Sequence, residues 1–178
     1  KRFLQLLHAR AEQLGVRLHF EQDIGLDDID TRLADADLIV AADGLNSKVR
    51  NADLETFECS IDTRPNKFVW LGTHQTFSDA FTFIFEKTEH GWIWAHAYQF
   101  DDNTSTFIVE TTPDVYDALG FEHMDHEQGA ETCRKIFEAY LDGHTLMTNS
   151  AHIRGSAWIS FPAVRCNNWI KDDRIVLI

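Results

Sequence analysis

Leu38-Ile39-Val40-Ala41-Ala42-Asp43-Gly44-Leu45-Asn46-Ser47-Lys48-Val49-Arg50 is an apolar run that meets a glycine turn and then a helix start. Leu38 to Ala42 reads as a compact buried strand, as in a parallel sheet. Strand, glycine turn and helix start together form the layout of a ligand-binding loop at the C-terminal end of such a sheet. Gly44 lets the backbone approach a ligand closely. Asp43 can accept from ribose hydroxyls or order water around a pyrophosphate. The helix N-terminus that follows suits phosphate, and Arg50 adds a fork for a second one. The plainer alternative is a tight turn with Ser47 as helix N-cap. The preceding strand and the Ser and Arg spacing favour the ligand loop.

Upstream, Phe3, Leu4, Leu7, Ala11 and Leu14 repeat at helical spacing, and Gly15 is a natural C-cap. Val16 to Phe20 alternates and reads as a short strand. Residues 21–36 are acidic and turn-rich. Residues 1–50 therefore carry an α/β texture.

Downstream the texture changes to antiparallel β with inserted helices. Phe68 to Gln75 reads as a strand, and Phe81 to Phe85 alternates strictly. Glu89-His90-Gly91 is a hairpin turn. Trp92 to Phe100 alternates again, Asp101-Asp102-Asn103 turns the chain, and Thr104 to Thr111 returns. The expected arrangement is a meander of about four strands. Pro113 starts a short helix, and a longer one covers Glu127–Leu141, closed by Gly143. Ala157 to Phe161 reads as a strand ended by Pro162, and Arg174 to Ile178 as a buried strand.

The chain has 178 residues, 44% of them hydrophobic and 25% charged, which excludes a disordered, collagen-like or disulfide-scaffold protein. A net charge of -13 repels phosphate polymers and anionic membranes, so neither nucleic acid nor membrane is an expected partner. No apolar run is long enough to span a bilayer. Cys59, Cys133 and Cys166 are widely spaced, give no zinc pattern or disulfide framework, and favour a reducing, cytoplasmic setting. Cys133 falls within the longer helix as a small core residue. His123-x-x-His126-Glu127 lacks a third ligand and reads as solvated surface, so no metal is expected. Ser47 has no Gly-x-Ser-x-Gly context, which removes a hydrolase elbow.

The Leu38–Arg50 stretch resembles the Asp-Gly motif of the FAD-dependent aromatic monooxygenases, the p-hydroxybenzoate hydroxylase-like group. Phe81–Phe85, Ala95-His96-Ala97-Tyr98, Asp101–Glu110 and Ile159–Arg165 resemble its salicylyl-CoA 5-hydroxylase and anthraniloyl-CoA monooxygenase branch. The resemblance implies an α/β fold, with a partial FAD-binding domain of parallel strands and helix at 1–52, resumed by a returning strand at 166–178. It implies a mixed, largely antiparallel substrate domain with helices at 53–165. The cofactors implied are FAD and NADH or NADPH as co-substrate. The reaction implied is hydroxylation of an activated aromatic ring with O2, on a small substrate such as a salicylyl- or anthraniloyl-CoA thioester.

By the same resemblance, Asp43 and Gly44 face the FAD pyrophosphate and the transient NAD(P)H, while Arg50 assists the nicotinamide cofactor. Period-two alternation puts Trp92, Trp94, His96, Tyr98 and Phe100 on one strand face. Trp94, His96, Tyr98 and Pro162 are the candidate substrate-binding residues; no catalytic residue is singled out. A packed sheet face, with His96 and Tyr98 hydrogen-bonded structurally, is the competing reading. A thioester is strongly anionic, so Arg165, Lys171 or Arg154 would have to receive it. The family's glycine-rich ADP-binding fingerprint and later Gly-Asp motif are not in these residues. The expectation is therefore an excised middle piece, inactive by itself. A flavin-dependent reductase or halogenase shares the Asp-Gly loop and stands as the alternative; a non-catalytic ligand-binding domain is the rival from another class.

Overall fold

The computed structural model describes residues 2–148 and 157–178. In chain order the elements are α1 (Arg2–Gln13), α2 (Leu26–Ile29), β1 (Ile39–Ala41), α3 (Lys48–Ala52), β2 (Cys59–Thr63), β3 (Lys67–Thr73), β4 (Thr82–Thr88), β5 (Gly91–Asp101), β6 (Thr104–Thr111), α4 (Pro113–Ala118), α5 (His126–Ile136), β7 (Leu146–Met147), β8 (Pro162–Cys166), β9 (Ile170–Lys171) and β10 (Ile175–Leu177). The chain divides into two compact units, Lys1–Ser60 with Val164–Ile178, and Ile61–Ala163.

In the first unit β1 runs parallel to β10, with Ile39 opposite Ile175 and Ala41 opposite Leu177. On its other side β10 pairs antiparallel with β9. Ile29, Ala41, Val49, Phe57, Cys166, Ile175 and Leu177 close into one apolar core. Only one side of β1 is buried: Val40 stays 50% exposed, although the run reads as a buried strand. The α1 helix ends as expected at Gly15, whose φ of +81° is left-handed. It buries none of its residues. Val16 to Phe20 is not a strand. Alternation supplies a face but not a ladder, and no strand among the described residues pairs with it. Phe20 instead sets its ring against His8 at 5.2 Å.

In the second unit five antiparallel strands run in the order β4-β5-β6-β3-β7. Two tight turns, at Glu89-His90 and Asp102-Asn103, join β4 to β5 and β5 to β6. The expected four-stranded meander is thus a three-stranded one, and β3 lies beyond β6 rather than beside β4. Burial explains the difference. In β3 the side chains of Phe68, Val69, Leu71 and Thr73 are all buried, which suits an interior strand. In β4 only Ile84 is buried, which suits an edge. One sheet face, through Val69, Ile84, Ile93, Ala95, Ala97, Phe107 and Val109, packs on Ala130, Cys133, Phe137 and Leu141.

The α5 helix is capped by Asp125, whose carboxylate accepts from Gln128 N, while the Gln128 side chain accepts from Asp125 N. It stops at Ile136 and continues as a 3-10 turn over Glu138–Tyr140, short of the Leu141 end that the periodicity predicted. Pro113 stands at the first turn of α4, as expected. The strand expected over 157–161 is reduced to a single bridge between Ile159 and Phe68. The ladder starts where that strand was expected to end, at Pro162. Proline has no N–H to donate, so it is tolerated at the first position of a strand. Phe161 meanwhile stacks on Phe68 at 3.7 Å.

Candidate functional site

The β1–α3 loop is built by short-range hydrogen bonds. Gly44 takes a φ of +75°, and a Cβ there would meet nothing within 4 Å, so its open side faces free space. Ser47 caps α3: its hydroxyl oxygen accepts from Arg50 N at 3.0 Å. Asp43 accepts from Lys48 N at 2.7 Å. Partial burial raises the Asp43 carboxyl pKa, but hydrogen bonds from the Ser47 hydroxyl and from the Lys48 and Val49 backbone more than offset this and hold it below 3.8. The turn is capped, and its glycine opens on a cavity.

That cavity has a volume of about 330 Å³ and is lined by Ala41, Gly44, Leu45, Ser47, Arg50, Val164, Cys166, Trp169, Leu177 and Ile178. It lies at the C-terminal ends of the parallel strands β1 and β10, where doubly wound sheets bind their ligands. Arg50 departs from its expected part. It is 5% exposed, and its guanidinium donates to Leu45 O at 2.5 Å, to Asn51 Oδ1 at 2.9 Å and to Gly44 O at 3.5 Å. Its donors brace the loop instead of standing open as a phosphate fork. No sequence signal separates those two uses of an arginine. Trp169 and Cys166, which line the cavity, carried no motif either.

The pH dependence of Asp43 has a definite sign. A carboxyl whose folded pKa is depressed contributes stability above its unfolded pKa, and loses it as pH falls through the folded value. The stability difference between the protein and its Asp43→Asn variant is expected to be full at neutral pH and to fade below 3.8. Urea melts at about pH 7 and about pH 3 check this; a difference that does not change with pH would assign the effect to shape alone.

In the second unit Trp94, His96 and Tyr98 share the sheet face opposite the core, and all three are half-buried. The three side chains lie on one face, as period two requires, and each keeps part of its surface exposed. Trp94 Nε1 donates to Glu110 Oε2 at 3.1 Å, so its indole is fixed. Tyr98 stacks on Phe81 at 5.1 Å. His96 meets the Phe83 ring edge-on at 4.8 Å. Its ring nitrogens have no hydrogen-bond partner among the described residues. Tyr98 borders an open cavity of about 510 Å³ with Phe77, Phe81, Gln99 and Phe100. A second cavity of about 380 Å³, which the sequence did not announce, lies by Trp70, Gly72, Thr106 and Met147. Pro162 lines none of these cavities; it is half-buried at the start of β8. Of the expected cations, Lys171 is paired with Asp53, which raises its pKa. Arg165 is exposed on β8. Arg154 lies outside the described residues. Among the described residues no cluster of three His, Cys, Asp or Glu can hold a metal, and no helix is long and apolar enough to cross a membrane.

Known proteins place this arrangement. No family model matches the chain. Salicyloyl-CoA 5-hydroxylase of a Streptomyces species is 33% identical over 99% of the chain and 34% of its own length. Protodeoxyviolaceinate monooxygenase of Chromobacterium violaceum is 33% identical over 97% of the chain and 45% of its own length. The chain is thus similar over nearly its whole length to two monooxygenases. It spans about a third to under half of the relatives it matches. Two solved structures share the chain's fold at 15% identity. One is 2-methyl-3-hydroxypyridine-5-carboxylic acid oxygenase, with a TM-score of 0.53 over 80% of the chain and 37% of that protein. The other is OxyS anhydrotetracycline hydroxylase of Streptomyces rimosus, with a TM-score of 0.52 over 97% of the chain and 34% of that protein.

The first unit fits part of the cofactor these monooxygenases use. The open side of Gly44 admits close approach of a large group, and Asp43 presents an ionised carboxylate already oriented by α3. The cavity is mainly apolar beyond the loop, through Val164, Trp169, Leu177 and Ile178. Arg50 fits as the brace that fixes the loop carbonyls.

Proposed function

We propose that the chain is the middle part of a flavin-dependent monooxygenase that hydroxylates an activated aromatic ring, using NADH or NADPH and O2. The observation that carries this reading is the 33% identity to a salicyloyl-CoA 5-hydroxylase over 99% of the chain, a span that takes in both the glycine loop and the aromatic sheet. In this reading residues 1–52 and 166–178 belong to an FAD-binding domain and residues 53–165 to a substrate domain. FAD, when bound, supplies hydride acceptance from NAD(P)H and the activation of O2. Asp43 and Gly44 contact its central portion, and Arg50 holds their loop rigid.

The second unit supplies the wall for the ring. Ring pockets combine apolar surface with one or two placed polar groups. His96 and Tyr98 are those groups here, and Trp94 is held beside them by Glu110. Pro162 takes the part of a wall residue next to them in sequence pattern only. The substrate class is a small aromatic compound carried as a thioester, and Arg165 is the exposed cation for its anionic portion. The setting is the cytoplasm.

The test uses the full-length protein. Stoichiometric bound flavin is expected, with NAD(P)H oxidation stimulated by an aryl-CoA and a hydroxylated product formed. The His96→Phe variant keeps ring bulk and removes both nitrogens. It is expected to melt within a few degrees of the parent, to form several-fold less product per NAD(P)H, and to release more hydrogen peroxide. A protein without flavin would make the chain a non-catalytic ligand-binding domain. Flavin with NAD(P)H oxidation that no aromatic substrate stimulates would make it a reductase. Unchanged coupling in His96→Phe would remove His96 from the ring contact.

A further inference from the structure

We propose that Cys59 and Cys166 form a reversible disulfide, making this pair an oxidation site beside the Gly44 cavity. The register of β2 and β8 carries the argument. These strands pair as a two-stranded sheet. Asn167 N donates to Glu58 O at one end and Arg64 N donates to Phe161 O at the other. Both bonds fit one unbroken antiparallel register, in which Cys59 stands directly opposite Cys166. The neighbouring pair Glu58–Asn167 carries the ladder hydrogen bond, so Cys59–Cys166 is a non-hydrogen-bonded pair. Cys59 N indeed donates elsewhere, to Leu54 O at 2.9 Å.

Non-hydrogen-bonded antiparallel pairs bring Cα atoms to about 4.5 Å. Disulfides span about 4.4–6.8 Å between Cα atoms. The pair thus falls within the allowed range, where a bond forms without backbone movement. Both cysteines are free thiols. They pack in the same apolar cluster. Burial, then the adjoining Cys59 thiol, push the Cys166 pKa up. Cys59 is the more exposed, and Cys166 is 9% exposed on the cavity wall. Cys133 is fully buried in α5 and takes no part.

The oxidant is hydrogen peroxide. The Cys59 sulfur attacks one peroxide oxygen, the O–O bond breaks, and water leaves, giving a sulfenic acid. The Cys166 sulfur then displaces the hydroxyl as a second water, forming the S–S bond. Two thiols lose two electrons and two protons, and one peroxide becomes two waters. A thiol reductant reverses the step.

The experiment treats the full-length protein with hydrogen peroxide, blocks remaining thiols and digests with trypsin. Residues 51–67 and 166–171 are expected as one linked peptide, about 2 Da lighter than the sum of the two, and dithiothreitol is expected to separate them. The link is expected to vanish in Cys59→Ser and in Cys166→Ala, and to persist in Cys133→Ser. Sulfinic acid on Cys59 with an unmodified 166–171 peptide would overturn the proposal. So would a link from either cysteine to Cys133 or to a second molecule.

Discussion

Replacing Arg50 by methionine is expected to cost the full-length protein about 3 kcal/mol and most of its bound flavin. Hydrogen bonds from a charged donor contribute roughly 1.5–3 kcal/mol each, and more is lost when the acceptor stays buried without a partner. Arg50 holds the carbonyls of Gly44 and Leu45 and the Asn51 side chain at once. Methionine keeps the aliphatic bulk and removes every donor, so the carbonyls either turn to water or stay unpaired. Either outcome unfixes the loop at its glycine. Arg50→Lys is expected to rescue little, because one ammonium cannot reproduce a planar fork across three acceptors. Thermal melting and the flavin-to-protein absorbance ratio measure the two effects. A flavin-replete variant with the parent's melting point would mean that the loop holds itself.

Phe107→Ala is expected to lower stability by about 3–5 kcal/mol. Phe107 is 0% exposed at the centre of β6. Its ring meets Phe137 edge-on at 5.4 Å and Phe77 at 6.0 Å. Removing it takes away a large apolar side chain and leaves a void between sheet and α5, whose walls belong to two rigid elements and cannot close. Whole domains are stable by only about 5–15 kcal/mol, so this one change removes a large share. Phe107→Leu keeps most of the volume and is expected to cost about 1.5 kcal/mol. Urea unfolding at neutral pH separates the two, and equal costs would contradict the cavity account.

What the residues disclosed in advance follows from how local each signal is. The run Ile39–Ala41 into Gly44 and Ser47 was legible because strand, turn and cap are decided within a dozen positions. The two hairpins through Glu89-His90 and Asp102-Asn103 were legible for the same reason. The place of β3 beside β6 was not, because order within a sheet is set by which strands can be buried on both sides. Val16–Phe20 alternates like a strand, but alternation says nothing about whether an edge is available to join. Arg50 reads as a phosphate ligand because its partners are backbone carbonyls, which leave no mark in side-chain pattern. The opposition of Cys59 and Cys166 was invisible too: two residues so far apart become neighbours only when the register of β2 and β8 is known. In the candidate site, the sharing of one face by Trp94, His96 and Tyr98 followed from period two alone. That the neighbours of His96 across the ladder are the rings of Phe81 and Phe83 required the register of β4 against β5.

The strand order also settles how the sheet's entropy of assembly is distributed. The β4–β5 and β5–β6 ladders close across turns of two residues, so each added rung fixes little extra chain. The β3–β6 ladder instead joins Lys67 to Thr111 and Thr73 to Ser105. Loop-closure entropy rises only by about 0.6 kcal/mol per doubling of the enclosed length. With the β4–β5–β6 meander already zipped, the enclosed chain is shortened to the stretch leading from β3 into β4. Closing the β3–β6 ladder is thus easier by about 1 kcal/mol once the hairpins beside it exist, and the edge strand β4, poorly buried in the finished fold, shortens the chain that the interior strand must close.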